Sequence, residues 1–257
     1  MKSLALAFAA ATILAGPAAA QSVAALVGDD TLAIVDVGAK KVAKTMKVTG
    51  IAGKLHGIDV RPADGMLYGL VSDGSVVTID PATGKATVKS KLDNMLPAGV
   101  SGTIDFNPVA DRMRVIGADG TNLRVNVDDG KTAVDGKLKF ADTDMHKGET
   151  PNIVAAAYTN SVKGAKETAL YDVDATIGAL LKQAPPNDGV LNAVGKFGVT
   201  AKTWAFDIAT TGETNTGWLM GDDTLYSVDL ATGKATSVGK IAGVTGVVRK
   251  ITMLPKM

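Results

Sequence analysis

The sequence predicts an all-β protein, a β-propeller of five four-stranded blades whose ring closes by pairing its C-terminal strand with its N-terminal strands. Three observations point there. First, a ten-residue phrase occurs twice: Thr-Ile-Asp-Pro-Ala-Thr-Gly-Lys-Ala-Thr at residues 78–87 and Ser-Val-Asp-Leu-Ala-Thr-Gly-Lys-Ala-Thr at residues 227–236. Each reads as a strand ending in Asp, a Gly turn, and a second strand. Second, a shorter phrase recurs as Ile58-Asp59-Val60-Arg61-Pro62, Ile104-Asp105-Phe106-Asn107-Pro108, Phe206-Asp207-Ile208 and, without the Asp, Ile251-Thr252-Met253-Leu254-Pro255. Recurrence at such intervals is the signature of a repeat fold. Third, period-2 alternation, Val, Thr and Asp-Gly turns dominate, while helical periodicity is scarce.

Residues 1–20 are expected to lie outside the fold. Lys2 gives a positive start, Leu4 to Leu14 is apolar, Gly16-Pro17 breaks the run, and Ala18-Ala19-Ala20 is a cleavage signal before Gln21. That order predicts a secretory signal peptide, and the run is too short for a membrane span. Residues 21–257 then form a single domain. No low-complexity linker divides them, and they contain no second long apolar run.

The units follow in order. Val23–Val27, Thr31–Val37 and Val42–Val48 are three strands that lack a first. Gly57–Leu92 and Thr103–Leu138 are complete units. Asn152–Phe197 is irregular: its Leu170-Tyr171-Asp172-Val173-Asp174 resembles Leu225-Tyr226-Ser227-Val228-Asp229 yet sits one strand earlier, so its register stays open. Trp204–Ile241 is complete, and Val247–Leu254 supplies the strand missing at the start. Five units over residues 21–257 fit the roughly 40–50 residues of a blade better than six would. The alternative, an unclosed β-sandwich, would leave two edges that closure removes.

Longer runs carry a family resemblance. They are Asp105-Phe106-Asn107-Pro108-Val109-Ala110-Asp111-Arg112-Met113-Arg114-Val115, Asn122-Leu123-Arg124-Val125-Asn126, Gly57-Ile58-Asp59-Val60-Arg61-Pro62-Ala63-Asp64-Gly65, Ala155-Ala156-Ala157-Tyr158-Thr159-Asn160-Ser161 and Pro185-Pro186-Asn187-Asp188-Gly189. Together they resemble the bacterial family known as domain of unknown function 4394. The resemblance implies an exported, propeller-like domain and brings no activity or catalytic residues with it. Met145-His146-Lys147 departs from the Gly- or Asn-rich loop expected there.

Composition excludes several chemistries. There is no Cys, hence no disulfide, thiol nucleophile or zinc–thiolate site. The 27 basic and 26 acidic residues nearly balance, which argues against nucleic acid as a partner. The two histidines, His56 and His146, share no ligand-type neighbourhood, and no G-x-S-x-G elbow occurs. With 2 Trp, 4 Tyr and 5 Phe, exposed aromatics are too few for a carbohydrate platform.

Two polar sets remain as candidate ligand-binding residues. Asp59, Asp105 and Asp207 hold equivalent positions on inner strands, which line a propeller's channel. Three converging carboxylates would raise one another's pKa and attract a cation or a proton. Equally, each could tie its strand to the next blade through backbone amides, as buried carboxylates require. Arg112, Arg114 and Arg124, with Asn107, Asn122 and Asn126, are the densest polar set in one blade. Guanidinium groups suit carboxylate, phosphate or sugar-acid ligands; the same groups could form Arg–Asp pairs between blades.

Calcium is the one ion the carboxylates could take, and otherwise no cofactor is expected. Asp142–Glu149 begins like a calcium loop, but Lys147 stands where Gly is required. Asp128-Asp129, Asp172 with Asp174, and Asp222-Asp223 read as turn caps.

The expected protein is a periplasmic or secreted monomer that binds a small molecule or an envelope protein without chemistry. The alternatives are a lactonase- or glycosidase-like hydrolase using channel carboxylates, and a structural envelope protein with an exposed apolar patch.

Overall fold

The computed structural model describes residues 22–255; the expected leader, residues 1–20, lies outside the described residues. Blade 1 contains β1 (Ser22–Val27), β2 (Thr31–Asp36) and β3 (Lys41–Lys47). Blade 2 contains β4 (Leu55–Val60), β5 (Leu67–Val71), β6 (Ser75–Ile79) and β7 (Ala86–Lys91). Blade 3 contains β8 (Gly102–Asn107), β9 (Arg112–Gly117), β10 (Asn122–Val125) and β11 (Thr132–Val134). A two-residue strand, β12 (Lys139–Phe140), follows. Blade 4 contains β13 (Ile153–Tyr158), β14 (Leu170–Asp174), β15 (Ala179–Gln183) and β16 (Val190–Lys196). Blade 5 contains β17 (Trp204–Thr211), β18 (Thr214–Gly221), β19 (Thr224–Val228) and β20 (Ala235–Lys240). The last strand, β21 (Val248–Met253), returns to blade 1.

Each blade is an antiparallel meander, and blade 1 has the order β21-β1-β2-β3. Closure is direct: Val23 pairs with Met253 and Ala25 with Ile251, while β2 joins the sheet through the other edge of β1. The expected five-bladed ring is therefore the observed one. One unit is larger than expected. Blade 4 gains β12, which runs parallel to β16 through Lys139–Val190 and Phe140–Leu191 and covers its outer edge. The open register also resolves. Leu170–Asp174 is a second strand, whereas Leu225 to Asp229 continues from a third, so the two similar phrases do occupy different places in their blades.

The repeated ten-residue phrase is a turn held by its Asp. Asp80 accepts the Ala82 amide at 2.8 Å and the Thr83 hydroxyl at 2.7 Å, and Asp229 accepts the Ala231 amide at 2.8 Å. The Gly two residues after that Ala has φ of 76° at Gly84 and 75° at Gly233, conformations that side chains resist. Space is short as well. A Cβ at Gly84 would lie 2.6 Å from the Lys47 carbonyl oxygen, and one at Gly233 would lie 2.3 Å from that of Gly195. The phrase recurs because the same turn presses against the preceding blade twice.

There is no single core. Five apolar slabs fill the five interfaces between blades. On β1, Val23, Ala25 and Val27 pack toward blade 5, whereas Ala24 and Leu26 pack toward blade 2. Strands buried on both faces must be apolar at successive positions, which accounts for Val-Ala-Ala-Leu-Val. Each such side chain contributes about 1.5–3 kcal/mol on burial.

The outer strands are exposed along much of their length, and most carry lysines. In four blades the outer strand holds an extra residue against its neighbour: Ala43, Lys89, Val194 and Val238. Among the described residues, no helix is long and apolar enough to cross a membrane.

Candidate functional site

The inner strands β21, β4, β8, β13 and β17 surround the ring axis in that order. Asp59, Asp105 and Asp207 meet there. Each offers a carboxylate oxygen within 4.8 Å of the others, and all three are buried. Each reaches to the next blade and accepts a backbone amide. Asp59 accepts from Phe106 at 2.8 Å, Asp105 from Tyr158 at 2.8 Å, and Asp207 from Met253 at 2.7 Å. The donor is always the residue that follows the equivalent position of the neighbouring blade. In blade 1 the equivalent residue, Thr252, has no carboxylate and instead donates its hydroxyl to Asp59 at 2.8 Å. By the same spacing Ala157 is the blade 4 position. It has no carboxylate, and the Ile208 amide that it faces is taken by Asp207 itself at 2.8 Å.

A fourth ionisable group completes the cluster, and the sequence reading missed it. Lys250 on β21 is fully buried. Its ammonium donates to Asp105 at 3.2 Å, the Ala156 carbonyl at 2.8 Å and the Phe206 carbonyl at 3.2 Å. The signal was present in the repeat. Two residues before Asp59, Asp105, Ala157 and Asp207 stand Gly57, Thr103, Ala155 and Ala205, all small; two before Thr252 stands Lys250. Four small residues leave the channel open to one long side chain.

The electrostatics follow from burial. Fully ionised, three carboxylates and one ammonium would leave two negative charges out of water, which is strongly unfavourable. Burial, joined by the Asp207 charge and opposed by Lys250, pushes Asp59 up to about 7. Burial with the Asp59 charge raises Asp105 well above the carboxylate range, and burial raises Asp207. Burial alone would lower Lys250, but the three carboxylates outweigh it and hold the ammonium above its ordinary value. The cluster thus keeps protons at neutral pH that free carboxylates would have lost.

The arginine set divides. Arg114 is buried between blades 3 and 4, donating to Tyr158 at 3.1 Å, Asn122 at 2.8 Å, Asp135 at 2.6 Å and Asn187 at 2.9 Å. It is a structural hub rather than an open group. Arg124 grips Asp135 with two nitrogens at 2.7 and 3.0 Å. Arg112 donates to the carbonyls of Ala110 and Asp111. Arg112 and Arg124 remain partly exposed and, with Asn126, Lys131 and Thr132, line an open hollow of about 290 Å³ on blade 3. Asn107 accepts the Val109 and Ala110 amides and so caps its own turn.

The acidic loops cap turns too. Asp144 accepts the His146 and Ala193 amides, and Asp142 pairs with Lys147 at 3.1 Å. Asp172 differs: it is fully buried between blades 3 and 4, and among the described residues neither oxygen has a partner; nor does Oε1 of Gln183. Burial, opposed by Arg114, pushes Asp172 up to about 8.

Two solved structures are similar to this chain, and the first of them shares its fold. One, a protein of unknown function from Bacteroides thetaiotaomicron, is 13% identical with a TM-score of 0.55, over 94% of this chain and 66% of that one. The other, a protein of unknown function from Bacteroides caccae, is 15% identical with a TM-score of 0.45, over 84% of this chain and 72% of that one. No curated protein matches. The family described as Domain of unknown function (DUF4394) matches residues 31–252, nearly the whole ring, and the chain belongs to that family.

Proposed function

We propose that this protein is an exported binding scaffold, periplasmic or secreted, that holds a ligand or partner on its surface and performs no chemistry there. One observation carries the reading: the three channel carboxylates are buried and each is committed to an amide of the neighbouring blade. A glycosidase needs two carboxyl groups roughly 5–9.5 Å apart beside space for a sugar and water. Here one oxygen of each carboxylate lies within 4.8 Å of the others, the buried Lys250 ammonium sits against Asp105, and all four groups are out of solvent. The same ammonium supplies the positive charge that a calcium ion would bring, so the scaffold is read as working without one.

Export rests on the charged, apolar and small-residue order of residues 2–20. Secreted protein whose intact mass retains residues 1–20 would remove it. The scaffold reading is tested by incubating the full chain with lactones and nitrophenyl glycosides, with and without calcium. No turnover is expected. Turnover that disappears in both Asp105→Asn and Asp207→Asn would overturn the reading in favour of a hydrolase.

A further inference from the structure

The mouth of the central channel, on the face where the inner strands begin, is built unlike the rest of the ring. Four blades line it: Ser101 from blade 3, Val154 from blade 4, Lys202 and Trp204 from blade 5, and Val248 and Arg249 of β21. The cavity holds about 200 Å³.

Its shape comes from three β-bulges at one level. On β4, Leu55 pairs with Val71 and Gly57 with Leu70, so His56 is an extra residue. On β13 the extra residue is Val154, and on β21 it is Arg249. The inner strands β8 and β17 pair without a bulge. A bulge breaks the alternation of side chains and re-aims the extra one, a device concentrated beside binding sites. Here Val154 and Arg249 are re-aimed to line one cavity. His56 joins its edge: the ideal Cβ of Gly102, a lining residue, would sit 3.6 Å from the His56 Nδ1.

Charges of both signs ring this mouth: Asp222 accepts the Lys202 and Thr203 amides at 3.1 Å, and Asp29 lies beside Arg249, while the free donors belong to Arg249 and Lys202. Arg249 reaches the carbonyls of Leu55 at 3.0 Å and Gly28 at 3.4 Å and the carboxylate of Asp29 at 3.5 Å, all with one nitrogen, Nη1. Its Nε and Nη2 have no protein acceptor among the described residues, which leaves one edge of the guanidinium open to a two-pronged acceptor. Asp29 is also held by Lys54 at 2.8 Å. Lys202 is exposed and forms no ion pair among the described residues. The walls between these charges are apolar: Ile153, Val154, Trp204, Val247 and Val248.

We infer that the channel mouth binds a small organic anion, a carboxylate on a compact apolar body, with Arg249 and Lys202 holding the charge and Val154, Trp204 and Val248 the body. This deepens the scaffold reading and rests on it. The blade 3 hollow at Arg112 and Arg124 also offers basic side chains, but a single blade supplies it and it lacks such walls.

Benzoate is the probe, with benzamide as its uncharged counterpart and inorganic phosphate as the anion without a body. Calorimetry on the full chain should show saturable benzoate binding with Kd of roughly 1 mM, as suits a ligand of so few atoms. Benzamide and phosphate should each bind at least about tenfold more weakly. Arg249→Gln and Lys202→Gln should each weaken benzoate about tenfold, and Lys131→Gln in the blade 3 hollow should not. Lys202 is exposed, so its variant tests the site without threatening the fold. Failure to saturate by ~20 mM, equal binding of benzamide or phosphate, or unchanged affinity in the Lys202 variant would each overturn the inference. Such a failure leaves the scaffold reading intact, since that reading falls only to turnover.

Discussion

Replacing Lys250 by Met tests whether the buried cluster is held together by its one positive charge. Met keeps most of the volume, so little of the effect comes from a cavity. Three interactions are lost: the ion pair with Asp105, and the ammonium bonds to the Ala156 and Phe206 carbonyls. Removing one partner of a buried ion pair costs about 3–5 kcal/mol because the other charge stays behind uncompensated. An orphaned buried acceptor costs about 1–3 kcal/mol.

The penalty must depend on pH. Asp59, Asp105 and Asp207 have pKa values raised in the folded state, and Lys250 opposes that rise. A raised carboxylate favours folding while protonated, and that advantage is lost as pH climbs from the unfolded value near 3.8 through the folded one, about 7 for Asp59. Without Lys250 the folded values rise further, so the variant loses more stability over the climb than the native protein does. Urea unfolding should therefore show a loss of about 3–5 kcal/mol at pH 8 and a clearly smaller one at pH 5. Equal losses at the two pH values would refute the electrostatic account and leave only packing. A loss below ~1 kcal/mol at both would refute the structural role itself.

Two further outcomes follow from the same geometry. Asp172, buried without partners among the described residues and pushed up to about 8, should make the native protein less stable as pH rises toward 9; Asp172→Asn should raise the melting temperature at pH 9 and leave it near native at pH 5, and an unchanged pH profile would sink this. Deleting residues 247–257 removes β21 and with it the closure of blade 1; the shortened chain should melt far lower or fail to fold, and a melting temperature equal to the native one would refute ring closure as a source of stability.

Much of the architecture was legible because a propeller writes each blade separately. The Asp80 and Asp229 phrases each specify a turn, and the Ile58-Asp59, Ile104-Asp105 and Phe206-Asp207 phrases each specify an inner strand that must be apolar, then carboxylate-bearing. Their equivalence already placed three acids on one axis. Lys250 escaped because it is singular: no other blade has a charge there, and its burial depends on four small residues far apart in sequence. Asp172 escaped for a related reason, since adjacency to Asp174 reads as a turn signal although β14 carries both. β12 was hidden by its length, two residues whose pairing is parallel and set by the path of the chain. The bulges at His56, Val154 and Arg249 have no sequence mark, because an extra residue becomes visible only against the strand it fails to match.

The outer strands carry features that oppose edge-to-edge pairing of sheets. The inner edges of the blades face the ring axis, where Asp59, Asp105 and Asp207 take up amides of the neighbouring inner strand, but each blade also ends outward on a strand with free backbone groups, a template on which another chain could extend the sheet. Every blade here disarms that template locally. Lys41, Lys44 and Lys47 line β3, and Lys89 and Lys91 sit on β7, so an approaching identical edge would meet like charge. β11 is only three residues long. β16 is already occupied by β12. β20 ends in Lys240 and, like β3, β7 and β16, carries an inserted residue that twists it out of register with a straight incoming strand. Aggregation by sheet extension is thus opposed at five places at once, and a variant that straightened one edge and stripped its lysines would be the one to polymerise.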